Sequence, residues 1–208
     1  ETGVLFDGTI LNSTENIEKY SSKKNQALNF GVYFTDLAFA SSFSENASIL
    51  SYFGTIKVLS DDLGISNALD AAIYEKVEAN LENDDADSLL FLSNETYFKA
   101  YSYLEENERG STLALIVLGG WIESLYIMTN LGEYEEGSNL VARIGEQKLT
   151  VENLMGFMMK YQDDANVAEV MEELADIEEL FWSFEEEEGD DVTTSQEGDV
   201  YVLSGGST

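Results

Sequence analysis

The sequence predicts an all-α protein, an irregular array of antiparallel helices around a central apolar helix at about residues 113–128. Three observations predict it. Apolar residues recur three and four apart along most of the chain, the period of a helix face. Proline is absent, where average usage of about 5% would give about ten; long helices joined by Gly, Asn and Ser turns suit that composition. Strand alternation is nearly absent until Val200-Tyr201-Val202. With 44% hydrophobic and 12% aromatic residues among 208, the chain can bury one sizeable core. One helical domain is expected over residues 1–184, followed by an acidic tail or linker at 185–208.

The elements follow in order. Ser21 or Ser22 can cap a helix carrying Ala27, Phe30, Phe34, Leu37 and Ala38 and running to about Phe43. Ile49, Tyr52, Phe53, Ile56, Leu59 and Leu63 mark a second, ended by Gly64 with Ile65 behind it, the pattern of a glycine C-cap with its hydrophobic contact. Leu69, Ala72, Ile73, Val77 and Leu81 predict a third, and Leu90, Tyr97, Phe98, Tyr101 and Leu104 a fourth, with the Asn83-Asp84-Asp85 turn between them.

From Leu113 to Met128 almost no polar face remains, and a helix apolar all round is buried all round. Its 16 residues include Glu123 and lack flanking Lys or Arg, whereas a bilayer span needs about 20 apolar residues, so a core helix and no transmembrane segment is expected. A short helix at Leu140–Ile144, another through Val151, Leu154, Met155 and Met158, and an amphipathic one from Val167 to Phe184 complete the array. The run Glu185–Glu188 with Asp190 and Asp191 then gives way to Thr, Ser and Gly, a composition that buries too little surface to order itself.

Composition excludes more chemistry than any motif supports. There is no His and no Cys. The usual general base, thiolate catalysis, disulfides and Cys or His metal sites are therefore closed, and no cofactor is expected. The 41 carboxylates against 10 basic groups give a net charge of −31, which repels nucleic acid and anionic lipid and attracts cations, including weakly held divalent ones. Three triplets beginning at Asn12, Asn46 and Asn94 fit the glycosylation sequon, a match that an Asn- and Ser-rich chain produces by accident.

Four groups of candidates remain. Glu123 among Trp121, Ile122, Leu125 and Tyr126 would have its charged form disfavoured by desolvation, as a general acid requires. With a second carboxylate and an aromatic cleft it would suit sugar hydrolysis of the muramidase type. Alternatively Glu123 meets Arg109, Arg143 or a Tyr hydroxyl inside the bundle, or lies where the helix reaches solvent. Gly119 and Gly120 in mid-helix each cost about 1 kcal/mol relative to Ala. They indicate either a close helix crossing or a ligand pocket bordered by Trp121. Asp84, Asp85 and Asp87 crowd oxygen ligands together, but Leu89 falls at a ligand position and the sixth-position Gly of a calcium loop is missing. Tyr97, Tyr101 and Tyr103 could stack on sugars, with packing as the plainer role.

The segments Lys19-Tyr20, Gln26–Tyr33, Asp36-Leu37, Asp62–Ile65, Gly119–Tyr126 and Ile177–Phe181 resemble an uncharacterised family of helical cell-envelope lipoproteins from Bacteroidota. The resemblance spans about residues 10–190. It implies an exported, all-helical protein of the periplasm or outer membrane with no assigned activity, and its motifs are structural, so no site residue comes with it. Members begin with a signal peptide and a lipid-bearing Cys and continue past the acidic tail. Neither end is present here, which suggests a fragment.

The resulting expectation is a non-enzymatic binding or scaffolding module with an envelope protein partner, for instance an accessory subunit of an outer-membrane assembly. A Glu123-dependent hydrolase and a small-molecule or lipid-binding bundle are the alternatives.

The surplus of negative charge generates a first prediction. The melting temperature should rise with NaCl as the Debye length shrinks from about 30 Å to about 8 Å, measured by circular dichroism; a flat or falling curve contradicts it.

Overall fold

In a computed structural model the protein is described over residues 5–68, 75–77, 79, 86–133, 135, 137–184, 193–197 and 200–204. The helices are α1 Lys23–Ser42, α2 Asn46–Leu63, α3 Ala86–Glu106, α4 Gly110–Asn130, α5 Asn139–Gly145, α6 Gln147–Met158 and α7 Ala165–Trp182. Two short 3-10 turns, Gly8–Ile10 and Thr14–Lys19, precede them. The all-α expectation holds. Of the third helix expected at 69–81, only residues 75–77 and 79 are described, and they are helical.

Local chemistry sets the boundaries. The Ser22 hydroxyl accepts from the Asn25 N–H at 3.1 Å, and Asp164 Oδ1 accepts from Asn166 and Val167 at 2.9 and 3.3 Å. Each cap contributes about 1 kcal/mol by satisfying N–H groups the helix leaves open. α2 ends where predicted: Gly64 is left-handed at φ +68°, the Ile65 N–H returns to the Ser60 carbonyl at 2.8 Å, and Ile65 is fully buried. Arg109, one of the partners considered for Glu123, instead donates to the Leu63 and Gly64 carbonyls at 2.9 and 3.3 Å, closing the same helix end.

α1 and α4 form the central pair. α2 and α3 pack on α1, while α3, α5, α6 and α7 also touch α4. The core lies between them, with Phe30, Tyr33, Leu37, Ile56, Leu59 and Ile116 among its fully enclosed side chains.

α4 is the one helix among the described residues long and apolar enough by composition to cross a membrane, and half of that apolar stretch is buried in the bundle. Its burial is less complete than the apolar pattern predicts. Tyr126 is 49% exposed while Ile127 beside it is 4%, so one side of the last turns of α4 faces solvent. On α7, Val167, Val170, Leu174 and Phe181 are buried, but Leu180 is 56% exposed and Phe184 lies beyond the helix end.

Within the acidic C-terminal segment, strands β1 Thr193–Glu197 and β2 Val200–Ser204 pair antiparallel, from Thr193 opposite Ser204 to Glu197 opposite Val200. Val200-Tyr201-Val202, the strand pattern visible in sequence, lies in β2. Residues 185–192, 198–199 and 205–208 lie outside the described residues.

Glycines allow α1 and α4 to approach. A Cβ at Gly119 would overlap the Leu28 carbonyl, and one at Gly31 would overlap the Ile116 carbonyl and come within 2.6 Å of the Gly120 nitrogen. These obstacles are backbone and cannot rotate away. Gly119→Ala and Gly31→Ala should therefore each destabilise by about 3 kcal/mol or more. Gly54→Ala, at a position in α2 where an added Cβ meets nothing within 4 Å, should stabilise by about 0.5–1 kcal/mol. Urea unfolding of the three variants checks both signs.

Candidate functional site

Two acids meet where α1 crosses α4. Asp36 is fully buried and Glu123 is 8% exposed, and each carboxyl is close enough to shift the other's proton affinity. The Asn12 backbone N–H donates to Asp36 Oδ2 at 3.3 Å. Asp36 Oδ1 and Glu123 Oε1 are buried with no hydrogen-bond partner, and a contact between two carboxyls needs a proton held by the pair.

Electrostatics agree with this geometry. Burial, then the charge of Glu123 and the hydrogen bond to it, push the Asp36 carboxyl up to about 9, against a smaller opposing effect from the Asn12 N–H. Burial likewise raises Glu123. Two carboxyls this close do not both ionise at neutral pH, and the pair titrates as a unit.

No Lys or Arg contributes to either shift. The Glu123 partners expected from the sequence are elsewhere: Arg109 is at the end of α2, and Arg143 is bonded to Glu146 at 2.9 Å. At neutral pH Asp36 therefore keeps its proton, and no basic side chain stands against the pair.

The N-terminal segment covers the pair, and sequence periodicity gave no sign of it. Asp7 and Ser13 cap its two 3-10 turns. Tyr33, fully buried on α1, donates to the Ser13 carbonyl at 2.8 Å, and Tyr52 on α2 donates to the Asn12 carbonyl at 3.3 Å. Burial raises both phenols, which stay protonated as donors across the ordinary pH range. The Asn12 amide donates to the Tyr20 hydroxyl at 3.0 Å and to Asn29 Oδ1 at 3.4 Å, and Asn16 donates to Asn12 Oδ1 at 2.7 Å. These bonds occupy the amide of the Asn12 sequon.

Between this segment, α1 and α4 opens a polar cleft of about 590 Å³, lined by Asn12, Asn16, Tyr20, Asn29, Glu123 and Tyr126 among others. Glu123 faces into it and Asp36 stands behind.

The other sequence candidates are dispersed. The space left free by Gly119 and Gly31 is taken by opposing backbone, as a close crossing requires. Gly119 borders an apolar cleft of about 270 Å³ with Leu28, Val32, Val170, Leu174 and Ile177, whereas Gly120 and Trp121 border a different one of about 360 Å³ with Phe34, Thr35 and Tyr97. Trp121 donates to Gln147 Oε1 at 3.2 Å.

Asp84 and Asp85 lie outside the described residues, and Asp87 falls in the first turn of α3. Among the described residues no group of three or more acids could hold a metal ion. Tyr97 packs edge-on against Phe34 at 5.7 Å, a core contact.

Asp36 is the residue the sequence reading missed as a site. In the sequence it reads as an ordinary solvated acid; its only signal is the spacing of three from Tyr33, which sets both on one face of α1. No family, characterised protein or solved structure matches the chain.

The raised carboxyl fixes a sign. Its native-state proton affinity exceeds the unfolded value of 3.8, so its stabilising contribution is complete below that pH and is lost as pH rises to about 9. Between pH 6 and 8.5, where ordinary carboxylates no longer titrate, wild-type stability should fall with a slope of up to about 1.4 kcal/mol per pH unit. Asp36→Asn should flatten that slope in urea unfolding; an unchanged slope contradicts the shared proton.

Proposed function

We infer that the protein is a non-enzymatic binding module of a bacterial cell envelope that holds a small polar ligand in the cleft beside Glu123. The observation that carries this reading is the burial of Asp36 behind the cleft that Glu123 lines. A glycosidase needs its acid and its second carboxylate about 5–9.5 Å apart with a sugar or water between them. Asp36 is fully buried and does not line the cleft, so it cannot face Glu123 across a sugar. The cleft walls instead offer amides and phenols, groups that orient a ligand without reacting with it.

The envelope location rests on the resemblance of the segments around Lys19-Tyr20, Gln26–Tyr33 and Gly119–Tyr126 to helical envelope lipoproteins. A protein partner belongs to the same proposal. The apolar surface available to it includes Leu149, Leu180 and Trp182, each more than half exposed on α6 and α7.

Two measurements test the reading together. The protein should release no reducing ends from peptidoglycan above the blank. Native mass spectrometry after incubation with low-mass envelope solutes should show a bound species that Asn29→Leu, which places an apolar side chain in the cleft, removes. Glycan cleavage lost in Glu123→Gln, or the absence of any bound species, rejects the reading.

A further inference from the structure

Asp36 Oδ1 and Glu123 Oε1 are buried without a hydrogen-bond partner, and no basic side chain balances any charge that the pair carries. A buried anion without a cationic partner is costly, yet the chain places no base there. Lys19 donates to Asn16 Oδ1 at 2.6 Å on the rim. The other titratable groups around the pair are phenols: Tyr33 on α1 and Tyr52 on α2, which donate to the Ser13 and Asn12 carbonyls, Tyr20 on the N-terminal segment, which accepts from the Asn12 amide, and Tyr126 on α4.

A bare metal ion fits poorly. Only one of the two acids reaches the cleft, and a hard divalent cation takes six or more oxygens. The amide oxygens of Asn12, Asn16 and Asn29 already accept from Asn16, Lys19 and Asn12. What the site lacks is a positive charge that brings its own hydrogen-bond donors.

We propose that the cleft binds a small molecule carrying a protonated primary amine, whose ammonium group pairs with Glu123. This rests on the cleft being a ligand site, as inferred above, and names the class of ligand. Apart from the ligand the exchange involves one proton. The ammonium enters with its charge and pairs with Glu123, the proton held by the pair leaves to solvent, and Asp36 becomes anionic behind Glu123 without touching the cation. No bond other than this O–H breaks. Binding accordingly tightens as pH rises from 6 to 8.5, while a simple amine remains protonated.

Ethanolamine and ethylene glycol are the probes, because they differ chiefly in the charged amine. Calorimetric titration in two buffers of different ionisation enthalpy, neither a primary amine, reads affinity and proton release together. Ethanolamine should bind with release of about one proton at pH 7.5 and more tightly at pH 8.5. Ethylene glycol should bind at least about tenfold more weakly, and Glu123→Gln should lose ethanolamine by a similar factor. Asp36→Asn, which has no shared proton to release, should bind without proton release and provides the readout if Glu123→Gln does not fold.

Equal binding of the two probes, ethanolamine binding without proton release in the wild type, or the same proton count in Asp36→Asn overturns the proposal. A silent ethanolamine titration beside a bound species in the Asn29-dependent mass experiment removes the amine and keeps the cleft. Silence in both removes the cleft as well.

Discussion

The contact on which the structure depends is the backbone approach of α1 to α4 through Gly31, Gly119 and Gly120. Carbonyls of Leu28 and Ile116 occupy the positions that side chains would fill. Mid-helix glycine weakens each helix by about 1 kcal/mol, and that loss is offset by the contacts two backbones make at such close range. The Gly120 carbonyl accepts from the Thr35 hydroxyl at 3.1 Å, a hydrogen bond across the crossing, and from Ser124 of its own helix at 2.9 Å.

The acid pair follows from that crossing. Asp36 stands five residues beyond Gly31 on α1 and Glu123 three beyond Gly120 on α4, so helices brought together at their glycines also bring their carboxyls together. Side chains that would be solvated on separate helices are enclosed, and a proton settles between them. The N-terminal segment then seals the pair from one side, with the Asn12 N–H on Asp36 and two buried phenols holding its carbonyls. Core and site are thus built by one contact.

Much of the fold was legible in the chain. The Ser22 cap, the Gly64-Ile65 ending and the spacing of Ile49 to Leu63 are local chemistry, and they occur where periodicity put them. The glycine pair could be read as a crossing for the same reason: its cost demanded compensation. Glu123 was legible because an acid in an apolar run is conspicuous. Asp36 was not, because its burial depends on what α4 and residues 5–20 do to it. The groups weighed as partners for Glu123 inside the bundle were basic or phenolic, whereas its neighbour is a second acid, which burial keeps protonated. The N-terminal segment has no helical period, and its order comes from hydrogen bonds to side chains that lie 20 and 40 positions away.

Both tryptophans are fastened to successive residues of the first turn of α6. The Trp121 indole donates to Gln147, and the Lys148 ammonium lies 4.8 Å from the centre of the Trp182 ring. On α4, Trp121 and Glu123 point about 200° apart around the axis. Indole emission therefore follows how α6 is seated on α4 and α7, on the side of α4 turned away from the cleft.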